Sequence, residues 1–184
     1  MDIAHPPRGY TARPAVPEDA AAVADLINTC QLADGDQADL SPEDVLSDWE
    51  GSNLEEESVV VIGQDGTLAA SADIVNRRYV QLSMYGYMRP EHKGRGLGAF
   101  LVNWGEVWAQ DRMHLAPENA RVLVQHYLRE SNNSARRMLE SLGYLPVRSY
   151  YWMGIEMSEP PPARRRSGAH LPHRPGRARR VRRR

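Results

Sequence analysis

The stretch Met88-Arg89-Pro90-Glu91-His92-Lys93-Gly94-Arg95-Gly96-Leu97-Gly98 has the composition of an anion cradle. Glycines let the backbone reach positive φ and come close to a ligand. The first N–H groups of a following helix have no intrahelical partner, so pyrophosphate oxygens can accept hydrogen bonds from them. Two phosphate-binding turns are excluded by spacing. The run lacks the Gly-Lys-Ser/Thr ending of a P-loop, and glycines at 94, 96 and 98 do not give the G-x-G-x-x-G of a dinucleotide turn. On spacing alone, a turn that merely closes a strand-to-helix corner stays equally open.

The flanks are the elements such a cradle needs. Val80, Leu82, Met84, Gly86 and Met88 alternate with Gln81, Ser83, Tyr85 and Tyr87, the period of a strand. Leu97, Phe100, Leu101, Trp104, Val107 and Trp108 form one apolar helical face, opposed by Asn103, Glu106, Gln110 and Asp111. Upstream, Tyr10 to Pro14 predicts a short strand, Pro17-Glu18-Asp19 opens a helix, and Ser41-Pro42-Glu43-Asp44 has the capping-box form that opens a second. Ser58 to Gly63 and Leu68 to Val75 are strands joined by an Asp65-Gly66 hairpin turn. Downstream, Arg121 to Leu128 predicts a strand, and Ala135, Met138, Leu139 and Leu142 a helix stopped by Gly143. Tyr144 to Met157 predicts two short strands turning near Arg148 and Ser149. The order is βααβββαβα followed by one or two strands.

With 184 residues the chain fits one domain able to build a core without disulfides. Its single cysteine, Cys30, shares an apolar helical side with Val23, Leu26 and Ile27 and is expected to be a buried structural thiol. No apolar run approaches a membrane span and the N-terminus is not a signal peptide, so a cytoplasmic protein without a membrane partner is expected. The formal charge of -1 hides an asymmetry. Residues 1–162 carry thirteen Lys and Arg against twenty-four Asp and Glu, a net -11, while the last 22 residues carry ten arginines and no acid. From about Pro160 the sequence has no periodicity and few large apolar side chains, which predicts a disordered tail. Three readings of it remain: a basic arm binding polyanions non-specifically, a Pro-rich interdomain linker, or a scar where a longer protein was cut short.

The body resembles the GNAT superfamily of N-acetyltransferases over residues 10 to 157. Met88-Arg89-Pro90 followed by Lys93-Gly94-Arg95-Gly96-Leu97-Gly98 is similar to that family's V-x-P strand end and Q/R-x-x-G-x-G/A turn, with lysine at the first position. Asn132-Asn133-Ser134-Ala135 and Leu142-Gly143-Tyr144 resemble its N-x-x-A and L-G-F/Y elements. The Pro-rich exit looks like one half of tandem proteins such as mycothiol synthases. The resemblance implies an α/β (α+β) fold with a mixed, mostly antiparallel sheet of six to seven strands and about four helices, occupying residues 1–159, with 160–184 as tail or truncated linker. It implies acetyl-CoA as acyl donor and no metal. Backbone amides of Lys93, Gly94, Arg95, Gly96, Leu97 and Gly98 would hold the pyrophosphate, the edge from Gly86 to Met88 would pair with pantetheine, and Asn132 would position the CoA arm. Ordinary helix capping is nearly as good an account of Asn132 and Asn133.

Amine acetylation needs a neutral nucleophile, a donor for the developing oxyanion and a proton for the departing thiolate. A backbone N–H near Met88 supplies the second. The carboxylate that many relatives carry on the strand before the turn is missing from Val80 to Met88, and their tyrosine in the last helix is matched by Leu139. Tyr85, Tyr87, His126, Tyr127 and Glu130 could substitute by position, and none is assigned a catalytic role. His170 and His173 are too isolated to form a metal site. Two functions stay open: an acetyl-CoA-dependent N-acetyltransferase acting on a primary amine of a small molecule or peptide, drawn in by the acidic body, or a non-catalytic acyl-CoA-binding module, the remnant half of a tandem protein.

Overall fold

The computed structural model describes residues 5–35 and 37–151. The elements run β1 (Tyr10–Arg13), α1 (Ala20–Ala33), α2 (Pro42–Asp48), α3 (Leu54–Glu57), β2 (Ser58–Gly63), β3 (Leu68–Arg77), β4 (Gln81–Met88), α4 (Leu97–Arg112), β5 (Leu123–His126) and α5 (Asn133–Ser141). The sheet order is β1-β2-β3-β4-β5, with every pairing antiparallel except the last. A parallel pair needs a crossover, and α4 supplies it.

The two faces of the sheet are buried by different helices. Val59, Val61, Ala70, Ala72, Ile74, Leu82 and Met84 meet Leu97, Phe100, Leu101, Trp104 and Trp108 of α4. Val60 and Leu68 meet Ala20, Val23, Ala24 and Leu26 of α1 and Val45 of α2. Period-two alternation along the strands makes this two-sided burial possible. Close packing is enforced by glycine at Gly105, where a Cβ would collide with the Met84 sulfur.

Local chemistry sets the helix ends. Asp19 fixes the entry to α1 by accepting from Val16 N–H (2.9 Å) and from both terminal nitrogens of Arg13 (2.6 and 2.7 Å). Ser41 and Asp44 form the expected capping box: Ser41 Oγ accepts from Asp44 N–H, and Asp44 Oδ2 from Ser41 N–H. Gly143, at φ +90°, ends α5, with Gly143 N–H donating to Glu140 O and Tyr144 N–H to Leu139 O.

Three expectations are corrected. The sheet has five strands among the described residues, where six to seven were expected. Residues 144–151 form no strand: Tyr144 is held by the helix stop, by its hydroxyl on Glu106 Oε1 (2.9 Å) and by its ring edge-to-face against His126 of β5, not by a backbone ladder. The rest of the expected strand pair, 152–157, lies outside the described residues. Among the described residues there are five α-helices, the extra one being the single acidic turn α3, too short to show a periodicity. The fifth strand is only four residues long, since Tyr127 and Leu128 leave the ladder.

Backbone contacts divide the chain into a unit ending at Pro146 and a second from Val147; the boundary expected near Pro160 and the arginine-rich segment lie outside the described residues. Among the described residues, no helix is long and apolar enough to cross a membrane.

Candidate active site where β4 and β5 part

The site is built on the end of β4. Gln81 to Met84 pair with β5, whereas among the described residues Tyr85 to Met88 pair only with β3. Arg89 N–H donates to Ala69 O at 2.9 Å beside the Ala70–Met88 pair. Alternation of the antiparallel ladder therefore turns the N–H groups of Met88 and Gly86 away from β3, toward the edge β5 has left. Gly86 is exposed although its strand is central to the sheet. The carbonyl of Met88 accepts from Cys30 Sγ at 3.2 Å, so Cys30 is half-buried, and burial raises its thiol pKa.

The glycine turn follows after one short 3-10 turn, Pro90–His92. Gly94 has φ +77°, and Gly96, the N-cap of α4, has φ +84°, conformations that L side chains rarely adopt. Lys93, Gly94, Arg95 and Gly96 are exposed, while Leu97 is fully buried and anchors the helix start in the core. Gly98 differs, since its φ is ordinary and a Cβ there would lie 2.7 Å from Met138 Sδ of α5, so that the flexible Met138 side chain would have to shift. Arg95 donates to Tyr10 Oη (3.3 Å), and Tyr10 Oη lies 2.8 Å from His92 Nδ1, so β1 braces the turn. Arg89 braces the strand end, donating to Leu68 O (3.0 Å) and Thr29 Oγ1 (3.3 Å) and pairing with Asp25.

The residues expected to bind cofactor thus fall into one group and one outlier. Gly86, Met88 and Lys93 to Gly98 occupy backbone at one end of β4 and in the turn that follows it. Asn132 is the N-cap of α5: its Oδ1 accepts from Ala135 N–H at 3.1 Å, which leaves only its amide nitrogen, 3.5 Å from Asp34 Oδ2. Tyr85 and Tyr127 stack at 5.5 Å, and Tyr87 is pushed up to about 12 mainly by burial. His126 sits on the α4 face, where burial lowers its pKa and its Nε2 has no partner among the described residues. The backbone carbonyl of exposed Glu130 accepts from Arg136. Leu139 is buried.

One group escaped the sequence. Asp73 lies on β3, directly opposite Tyr85 on one side and Ser58 on the other. Burial, and secondarily the charge of Asp48, raise its carboxyl to about 7. The signal was present as a lone acid inside the otherwise small or apolar run Ala69 to Val75. Among the described residues no group of three or more His, Cys, Asp or Glu could hold a metal ion.

Comparison with known proteins supplies a family. The model for FR47-like protein matches residues 59–153. A GCN5-related N-acetyltransferase from Sphaerobacter thermophilus is 57% identical with a TM-score of 0.74, covering 78% of this chain; the chain spans 45% of that protein's length. The Salmonella typhimurium protein yncA, solved with its cofactor acetyl-CoA, shares the fold at 20% identity and TM-score 0.63, over 83% of this chain and 88% of its own. A GCN5-related N-acetyltransferase from Kribbella flavida does so at 21% and 0.57, over 73% and 81%. No curated protein matches the sequence.

Proposed function

Because the chain belongs to the FR47-like family of the GNAT fold, we propose that it is an acetyl-CoA-dependent N-acetyltransferase that acylates a primary amine of a small molecule or peptide. The observation that carries this reading is the edge from Gly86 to Met88, unpaired on its β5 side among the described residues, leading through the short turn Pro90–His92 into a positive-φ glycine turn and a helix N-terminus. An extended amide-bearing chain fits the edge as an added strand, and a pyrophosphate fits the turn. The open space around Gly94, where a Cβ would meet no atom within 4 Å, leaves room for that approach. Gly86 and Met88 N–H groups would hold pantetheine and polarise the acyl carbonyl, and the amides of Lys93 to Gly98 would hold the phosphates. When bound, acetyl-CoA supplies an activated acyl carbon with a thiolate leaving group. The free thiol of Cys30 suits the cytoplasm.

Calorimetric titration with acetyl-CoA, followed by assay of CoA release over a panel of primary amines, tests the reading. Tight binding and amine-dependent release are expected. Absence of acetyl-CoA binding would refute it.

A second reading is favoured by one observation, the 45% coverage of a relative 57% identical. It is the half of a tandem protein, similar to those that include mycothiol synthases, in which this unit binds acyl-CoA without catalysis. Binding without amine-dependent release would select it.

A further inference from the structure

A row of side chains crosses the sheet where β4 and β5 part. Ser58 of β2, Asp73 of β3 and Tyr85 of β4 are direct cross-strand partners, and Tyr85 stacks on Tyr127 just beyond β5. Directly opposed residues share a face. This one is the face of Val60 and of helices α1 and α2, opposite α4. Gly86, whose N–H points into the parting, is the residue after Tyr85. Adjacent strands are ~4.8 Å apart, so the Asp73 carboxylate stands within roughly two strand spacings of that N–H, with the Tyr85 ring beside it on the same face. The carboxylate accepts no hydrogen bond and makes no ion pair among the described residues. A half-buried anion without a partner is costly, and in folded proteins it is ordinarily paired. An incoming ammonium would be that partner.

We propose that Asp73 is the carboxylate that receives the acceptor's ammonium group and takes its proton, and that the acceptor enters from the α1 and α2 face of the sheet. The inference rests on the N-acetyltransferase reading and adds to it a base and a direction of approach. In the step, R–NH3+ gives one proton to Asp73 and becomes a neutral amine. Its nitrogen lone pair forms the C–N bond to the acyl carbon, the C–S bond breaks, and its electron pair leaves on sulfur; a second proton, lost from nitrogen, ends on the thiolate. No oxidant or further reactant is needed.

The groups with charge around Asp73 are few. Asp48 at the end of α2 is the one acid that raises it; Tyr85 and Tyr87 of β4 feel its charge, Arg77 and Tyr127 act on Tyr85, and Cys30 of α1 acts on Tyr87. Two acids and several neutral hydroxyls favour a cationic acceptor. They also explain why a carboxyl here is matched to proton abstraction near neutrality.

The test uses the full chain and the variant Asp73→Asn, with phenethylamine, spermidine and a short lysine peptide as probes. Acetyl-CoA affinity should be equal within about twofold in both proteins, since the donor contacts are assigned to the backbone of Gly86 to Gly98 and none to Asp73. Transfer near neutral pH should fall about 100-fold in D73N and recover toward wild type as pH rises and free amine forms unaided. Independently of activity, D73N should melt higher than wild type above pH ~7, because it removes a desolvated charge. D73N that transfers at the wild-type rate near neutrality, or that melts lower at every pH, overturns this inference and leaves the enzymatic reading intact. Wild type that binds acetyl-CoA yet acylates none of the probes overturns both.

Discussion

At the scale of single residues, the three glycines of the turn separate into two physical roles. Gly94 and Gly96 are needed for their φ of +77° and +84°, whereas Gly98 lets the Met138 side chain of α5 pack close to α4. Gly94→Ala should therefore cost about 1–2 kcal/mol through backbone strain alone, since no atom stands near the new Cβ. A chemical-denaturation midpoint would show it, and an unchanged midpoint would mean that the turn relaxes freely. Asp73 and Asp19 give opposite pH signatures. The folded pKa of Asp73 is raised from 3.8 to about 7, so the folded state keeps a proton the unfolded chain releases. Its cost is absent below pH ~4, grows between about 4 and 7, and is constant above, amounting to a few kcal/mol at most. Asp19 is held below its ordinary value by the hydrogen bonds and charge of Arg13. Its stabilisation is present above the ordinary carboxylate range and disappears as pH falls through the depressed folded value. Asp19→Asn should thus lower the melting temperature at neutral pH and have little effect in strong acid.

Among the elements, α4 and the meander β2-β3-β4 were legible because each carries a clean period and a signal at its end. Leu97 to Trp108 repeats at helical spacing and Asp65-Gly66 marks its hairpin. Tyr144 to Tyr151 carried an equally strand-like composition, but a strand also needs a partner edge, and what claims Tyr144 is Glu106, 38 residues away in the chain and invisible to local pattern. The same blindness hid Asp73, whose significance comes from Tyr85 across the ladder. Asn132 was legible only as an asparagine before a helix; the geometry gives its oxygen to Ala135. Arg89 is a further case of long-range work, tying α1 to the ends of β3 and β4. Arg89→Ala should lose about 1–3 kcal/mol by leaving the Leu68 carbonyl and the Thr29 hydroxyl short of a partner. It should also weaken acetyl-CoA binding, because the residue follows Met88 directly. Loss of stability with unchanged affinity would show that the strand end holds its place without the strap.

For the molecule as a whole, the proposed reading divides two tasks between a face and an edge of the sheet. The proposed donor edge lies beside α4, and the proposed acceptor entrance lies on the side of α1 and α2. Donor binding at that edge would be linked to folding, since the edge exists only when β3, β4 and α4 are assembled. Acetyl-CoA at a hundred times its dissociation constant should raise stability by about 2.7 kcal/mol, seen as a melting shift of several degrees. The charge division along the chain makes a separate forecast. Residues 163–184 carry ten arginines, so a protein ending at 162 should lose salt-sensitive retention on heparin while keeping its acetyl-CoA affinity. Retained heparin binding would place the polyanion site in the body.

The position of β1 also sets an order of assembly. Strands β2, β3 and β4 are joined by short turns, whereas forty-four residues separate Arg13 from its partner strand. Closing that long loop costs entropy before any ladder bond repays it, so β1 is expected to zip in after the meander has formed. Pulse-labelled amides of Val59 to Val61 facing β3 would gain protection ahead of those of Tyr10 to Arg13. Tyr10 is the residue that reaches His92 and Arg95. A nascent chain would thus carry its glycine turn early and brace it late, and competence to grip a phosphate would be acquired as one of the closing events of folding.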